Sequence, residues 1–164
     1  MLRFLLATYR MRRRISSDGG FGREVRVQRI IIAGCACATS LLKLCLIEMM
    51  DGLAINAAED FVNAGYPREA AALLIIELDG PAVEVDALIG RVEAIVRKSG
   101  ASSVRVSQSE EARNLFWAGR KSAFPAVGRI SPDYLCMDGT IPRRRLPDMM
   151  RRMASLSQQY GLRV

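Results

Sequence analysis

Apolar residues recur at spacings of three and four in three stretches of the chain, residues 50–61, 85–98 and 146–160. This is the spacing of one buried face of an α-helix, so each stretch is predicted to be an amphipathic helix. The second and third stretches are followed by glycines, Gly100 and Gly161, which can adopt the left-handed backbone that ends many helices. The pattern therefore predicts three helices with defined ends.

Short apolar runs without this spacing predict strands at residues 71–78 and 103–106. A third strand is predicted near residues 134–141, and a fourth begins at residues 162–164. The resulting order of strand, helix, strand, added helix, strand, helix and strand is that of a ferredoxin-like sandwich. We therefore expect an α+β fold, an antiparallel sheet with helices on one face and one inserted helix, truncated at its fourth strand.

The inserted helix is predicted to begin at residues 107–110, because Ser-Gln-Ser-Glu has the spacing of a capping box. Its predicted buried face consists of Ala112, Leu115, Phe116 and Gly119. On the opposite face, Arg113, Trp117 and Arg120 follow at positions i, i+4 and i+7 and would project together. The chain that follows is rich in Pro, Gly and Ser and is predicted to be a loop, and long ordered loops commonly carry function.

The net charge of +7 is concentrated at the start of the chain. Residues 1–47 contain 9 Lys or Arg and 2 Asp or Glu, whereas residues 48–164 contain 15 of each kind. A nucleic-acid groove would place its basic residues on the folded domain, so the balanced remainder argues against nucleic-acid binding. With 164 residues, half of them apolar, the chain is long enough for one small domain and its core.

Residues 1–47 are expected to be an unassigned leader that packs poorly against a domain formed by residues 48–164. The leader has a basic start, a glycine-rich patch and an apolar run at residues 30–47 that contains Lys43. This run is nearly long enough to cross a bilayer, so a membrane anchor is one alternative. A shifted reading frame or a mis-called start is the preferred explanation, because the segment has no regular pattern.

The cysteines do not indicate a metal site or a disulfide framework. Cys35, Cys37, Cys45 and Cys136 lack the paired spacing of a zinc ribbon, and the chain contains no histidine. Scattered reduced thiols favour a cytoplasmic protein. Because there is no imidazole to act near neutral pH as a general base or as a metal ligand, we predict no metal site and name no catalytic residue.

Three motifs occur in order: Trp-Ala-Gly-Arg-Lys at 117–121, Phe-Pro-Ala-Val-Gly-Arg-Ile-Ser-Pro-Asp at 124–133 and Met-Asp-Gly-Thr-Ile-Pro at 137–142. Together they make the chain resemble the C-terminal substrate domain of FAD-linked oxidases, and within that family the flavin subunits of the glycolate oxidase and D-lactate dehydrogenase type. The resemblance covers about residues 48–164 and includes Glu-Met-Met-Asp at its start. It implies that residues 48–164 form part of such a domain.

The resemblance implies an oxidoreductase of glyoxylate metabolism that transfers a hydride from a 2-hydroxy acid such as glycolate or D-lactate to FAD. In that family the arginine of Trp-x-x-Arg binds the substrate carboxylate, and this role falls here on Arg120, whose planar guanidinium can donate two parallel hydrogen bonds. Trp117, Tyr134 and Thr140 are further candidates for substrate contact, while some relatives have a lysine at the position of Cys136. The alternatives are a surface ion pair for Arg120 and core packing for Trp117.

The resemblance also implies a cofactor and partners outside this chain. FAD would be bound mainly by a separate domain of the complete enzyme, together with other oxidase subunits that could bring the protein to a membrane. Relatives continue beyond the position of Val164 with a His-rich motif that supplies metal ligands and a base. We therefore expect the chain alone to be inactive, and the alternative is a non-catalytic ferredoxin-like binding or assembly module.

Overall fold

Four strands and four helices form the part of the chain that the computed structural model describes, residues 2–10, 44–142 and 145–164. In chain order they are β1 (Leu2–Arg10), β2 (Leu44–Asp51), α1 (Gly52–Val62), β3 (Ala70–Asp79), α2 (Ala82–Lys98), β4 (Ser103–Val106), α3 (Glu110–Ile130) and α4 (Leu146–Tyr160).

The strands form one sheet in the order β2-β3-β1-β4, and every pair in it is antiparallel. β3 is paired along both edges, since Leu74 lies opposite Met49 of β2 and opposite Ala7 of β1. β4 pairs with the other edge of β1, where Val106 lies opposite Leu5. The predicted α+β fold with an antiparallel sheet is therefore confirmed.

Helices cover both faces of the sheet, because successive side chains of β3 point to opposite sides. On the α2 face, one set of β3 residues packs against α2; the buried members are Ala72, Leu74, Ile76, Leu78, Val85, Ile89, Val92 and Val96. On the α3 face, Leu73 and Ile75 of β3 pack with residues of α1 and α3, including Ile55 and Phe116. The expectation that all helices lie on one face is corrected by this alternation.

The helix ends follow the chemistry of their flanking residues. The carboxylate of Asp51 caps α1 by accepting a hydrogen bond from the amide of Ala54 at 2.9 Å. Gly100, after α2, has a φ of 92°, and Gly161, after α4, has a φ of 64°. The helices predicted near residues 50–61, 85–98 and 146–160 are confirmed. The apolar side of α4 is nevertheless largely exposed, as at Met153.

The inserted helix differs from its prediction at both ends. Ser109 is the cap of α3 and not Ser107, because the Ser109 backbone is extended and its hydroxyl accepts from the amide of Ala112 at 3.2 Å. The helix then continues through Pro125 to Ile130, where a loop was predicted. A proline removes one helical hydrogen bond, and after it Ala126 is the buried residue of the last turns.

The predicted third and fourth strands are wrong. Residues 131–142 and 162–164 are all described, and neither range contains a strand. A strand requires a partner edge, and Pro132 and Pro142 each lack the amide needed for a ladder hydrogen bond. Leu115, predicted to be buried in α3, is also 46% exposed.

One strand and the first half of another come from the segment that was expected to be a leader. β1 pairs with both β3 and β4, and β2 crosses the proposed boundary at residue 47. The expected poor packing of the leader is therefore wrong for residues 2–10 and 44–47, whose main chains complete the ladders of β3. Of the candidate membrane run at residues 30–47, residues 30–43 lie outside the described part. Within the described ranges, no helix is long and apolar enough to span a membrane.

Candidate functional site

Arg120 projects from α3 towards β2 and forms an ion pair with Glu48. The Nε of Arg120 donates to Oε2 of Glu48 at 2.9 Å, and the two side chains are 37% and 27% exposed. Glu48 lies opposite Ile75 in the ladder between β2 and β3, so it occupies the α3 face of the sheet. The pair thus joins the sheet to the helix, and it is neither deeply buried nor fully exposed.

A cleft of about 290 Å³ opens beside this ion pair. It is lined by Met49, Met50, Asp51, Ala54, Arg120, Ala123 and Met150. These residues come from the end of β2, the first turn of α1, the middle of α3 and the first turns of α4. Most of the lining is apolar, and the Asp51 carboxylate already caps α1. Arg120 is therefore the cationic residue of a small apolar cleft, which is an arrangement suited to a small carboxylate.

Tyr66 fixes the segment of α3 that carries Arg120. Its hydroxyl donates to the carbonyl of Phe116, and its own amide donates to Oε1 of Glu59 at 2.8 Å. A Cβ at Gly119 would lie 2.3 Å from the nearest ring atom of Tyr66. The glycine of the Trp-Ala-Gly-Arg-Lys motif is therefore required by packing, since only a residue without a side chain lets the ring approach.

The environment of the Tyr66 hydroxyl favours its neutral form. Burial raises the pKa of Tyr66 to about 12, and the nearby Glu59 carboxylate acts in the same direction. The backbone amide of Arg120 interacts favourably with the phenolate and partly opposes this shift. The tyrosine therefore remains a hydrogen-bond donor to α3 at neutral pH.

Trp117 and Arg113, which were predicted to project together with Arg120 from α3, have separate surroundings. Trp117 is half-buried and packs against the cluster that contains Tyr66 and Phe116, and the Nζ of Lys121 lies 6.0 Å from its ring centroid. Arg113 forms an ion pair with Glu110 at 3.0 Å, one turn earlier in the helix. Arg120 lines the cleft, whereas neither Trp117 nor Arg113 does.

Tyr134, Cys136 and Thr140 lie in the exposed segment that follows α3. The ring of Tyr134 makes an edge contact with Phe124, with centroids 5.3 Å apart. Cys136 is an exposed free cysteine, and Thr140 is also exposed. Because this segment forms no strand, it does not present these residues together on one face, and none of them lines the cleft. Substrate contact by Tyr134 and Thr140 stays a prediction.

The sequence interpretation missed Glu48 and Tyr66 as parts of the site. Glu48 was noted only within the Glu-Met-Met-Asp segment of the resemblance, and Tyr66 was given no role in a site. Neither residue has a local signal, because each makes its contact with a segment 50 or more positions away. Among the described residues, no group of three or more cysteines and carboxylates could hold a metal ion.

Comparison with known proteins places the chain in a family. A family model described as FAD linked oxidases, C-terminal domain, matches residues 27–164. The chain is 61% identical over 118 residues to glycolate oxidase subunit GlcD of Escherichia coli K12, and 31% identical over 118 residues to the subunit of the same name from Bacillus subtilis. Each match covers 72% of this chain. The matched region is 24% of the first relative and 25% of the second, so the chain spans about a quarter of their length.

Proposed function

Because this chain belongs to the family of FAD linked oxidase C-terminal domains, we propose that it supplies the substrate-binding part of a flavin-dependent 2-hydroxy-acid oxidoreductase. The observation that carries the proposal is the position of Arg120 in a small apolar cleft. The names of the two relatives, both glycolate oxidase subunits, support a small 2-hydroxy acid such as glycolate as the substrate, and we propose D-lactate as a second one.

Arg120 binds the substrate carboxylate in this proposal. Its Nε is already occupied by Glu48, and the two terminal amino groups carry further donors that can hold a carboxylate side by side. The methionines and alanines of the cleft then exclude water from the rest of a molecule with few atoms. Trp117, Tyr134 and Thr140 are proposed as outer contacts, which a neighbouring domain would bring close to the substrate.

FAD is the proposed cofactor of the complete enzyme, and the described residues do not fit it. The cleft volume is just below the range for pockets of drug-sized ligands, and FAD is larger than such ligands. FAD is therefore expected to bind mainly to another domain. Bound to that domain, FAD would supply the hydride acceptor for oxidation of a 2-hydroxy acid to a 2-oxo acid, and this chain would contribute Arg120 as the carboxylate-binding residue.

The complete enzyme is proposed to work with other subunits, because both relatives are named as subunits. A cytoplasmic location, with membrane association through those subunits, follows from the same proposal. The chain alone is proposed to bind FAD weakly and to be inactive, because it contains no histidine that could act as the base.

Arg120→Lys tests the carboxylate role. The substitution is made in an exchange enzyme, in which residues 48–164 of this chain replace the matched segment of the E. coli subunit. Lysine keeps the charge but loses the planar fork, so we expect the KM for glycolate and D-lactate to rise about tenfold and kcat to fall. Arg97→Lys is the matched control, because Arg97 pairs with Glu93 on exposed α2 surface.

Unchanged kinetics of Arg120→Lys would remove Arg120 from the site and with it the proposed function. In a parallel measurement, the 164-residue chain is titrated with FAD and followed by flavin fluorescence and dye reduction. Stoichiometric binding with turnover would contradict the proposal that another domain is required.

A further inference from the structure

We propose that Glu48 positions Arg120 and selects against substrates that carry a second carboxylate. The inference rests on the proposed function, since it assigns a partner to the arginine that binds the substrate. It adds a residue and a substrate class to that function: monocarboxylic 2-hydroxy acids are accepted, and dicarboxylic ones are rejected.

The first support is the geometry of the ion pair. Oε2 of Glu48 accepts from Nε of Arg120 at 2.9 Å, on the side of the guanidinium nearest its own stem. Among the described residues, Glu48 is the partner to which the Arg120 guanidinium donates a hydrogen bond. A bond at Nε restrains rotation of the planar group without using the terminal amino groups, so Glu48 orients the fork and leaves it available to a ligand.

The second support is the rigidity of the element that carries Glu48. The residue lies within β2 and is paired with Ile75 of β3, so its backbone is fixed by the sheet. Its side chain is 27% exposed, and the hydrogen bond to Arg120 is therefore partly shielded from water. A carboxylate held by a strand provides a firmer reference for the guanidinium than a carboxylate on a loop would.

The third support is the charge beside the cleft. Met49, Met50 and Asp51 follow Glu48 directly along β2, and all three line the cleft. Asp51 thus places one carboxylate in the lining of the cleft, and the carboxylate of Glu48 is bound to Arg120 beside it. The carboxylate of a monocarboxylic acid can pair with Arg120, whereas a second carboxylate would enter a mostly apolar cleft that already holds the Asp51 carboxylate and lies beside the charge of Glu48.

The experiment compares D-lactate with D-malate, which differs from lactate by one added carboxylate. Both are assayed with the exchange enzyme and its Glu48→Ala and Glu48→Gln variants. Glu48→Ala is expected to raise the KM for D-lactate about tenfold with kcat within about twofold, because a charge-assisted hydrogen bond is lost. Glu48→Gln is expected to restore this KM to within about twofold, since its amide oxygen accepts from the same Nε.

Both variants are expected to lower the preference for D-lactate over D-malate, measured as the ratio of kcat/KM values, about tenfold, because both remove the negative charge. A structural role alone would not change this ratio. Glu93→Gln is the matched control, since Glu93 forms an exposed ion pair with Arg97 on α2. It is expected to leave the KM and the preference unchanged.

The outcomes separate this inference from the proposed function. If Arg120→Lys impairs the exchange enzyme while both Glu48 variants retain the KM and the preference, the role of Glu48 is overturned and the proposed function stands. An exchange enzyme that is inactive before any substitution, or unaffected by Arg120→Lys, would contradict the proposed function itself. If Glu48→Ala does not fold, the change of preference in Glu48→Gln decides the question.

Discussion

The two faces of the sheet are built by different means. On the α2 face, the buried residues are all aliphatic, and the contacts between β3 and α2 have no directional component. The α3 face also has an apolar core, but it contains Tyr66 and borders the buried Glu59, and its hydrogen bonds fix a single position of α3. Both faces therefore contribute apolar burial to the free energy of folding, whereas the hydrogen bonds of the α3 face also determine where Arg120 lies.

The difference follows from the physical chemistry of the contacts. Aliphatic burial depends on the area removed from water and tolerates small shifts of a helix. A hydrogen bond from a buried hydroxyl to one carbonyl does not tolerate such shifts, because the donor and acceptor become unsatisfied when they separate. Substitutions on the two faces should therefore have separable effects on stability and on the site.

The largest effect on stability is expected on the α2 face. Leu74 is 2% exposed, and Leu74→Ala leaves a cavity between β3 and α2 that should lower the free energy of unfolding by about 3 kcal/mol. Urea unfolding of the chain measures this loss. In the exchange enzyme, the folded variant should retain its KM for D-lactate. A KM increase as large as that of Arg120→Lys would show that the faces are not independent.

An intermediate effect on stability, with a clear effect on the site, is expected for Gly119→Ala. The added Cβ would lie 2.3 Å from the Tyr66 ring, so the ring or α3 must shift, at a cost of about 2 kcal/mol. The KM of the exchange enzyme should rise, because either shift disturbs the contact that holds the segment carrying Arg120. Gly90→Ala in α2 is the matched control: its Cβ meets nothing within 4 Å, and alanine should stabilise the helix by about 0.5 kcal/mol. Equal effects of the two substitutions would contradict the role of the Tyr66 contact.

The smallest effect is expected for Tyr66→Phe, which keeps the ring and removes its hydrogen bond to the Phe116 carbonyl. The free energy of unfolding should fall by about 1 kcal/mol at pH 7. Burial raises the pKa of Tyr66 from 10.0 to about 12, so between these values the unfolded chain releases a proton that the folded chain keeps. Stability should therefore fall as the pH rises from 10 towards 12. Tyr66→Phe should lose less stability over this range. Parallel plots of the free energy of unfolding against pH for the two proteins would contradict the raised pKa of Tyr66.

Elements specified by local chemistry could be predicted from the sequence. The apolar spacing and the final glycine define α2, and the continuous apolar run of β3 identifies it as a buried strand. Arg120 could be singled out because its motif is local. In each of these cases, the residues that specify the feature lie close to it in the sequence.

Features that depend on distant partners could not be predicted in this way. β1 is a strand because its main chain fills the space between β3 and β4, and residues 131–142 are not a strand because they have no partner edge. Glu48 could not be assigned to Arg120, because the two lie 72 positions apart. The passage of α3 through Pro125 likewise depends on contacts with α1, which override local propensity.

Pro125 has a consequence for how α3 moves. It has no amide hydrogen, so it cannot donate to the carbonyl of Lys121, and the hydrogen-bond ladder is interrupted one residue after Arg120. The preceding part of the helix is held by Tyr66, while the following part is held separately by buried Ala126 and by the Arg129 guanidinium, 4.6 Å from the Phe61 ring centroid. We therefore expect fraying that begins at the C-terminal end of α3 to stop at the proline without releasing the turn that carries Arg120.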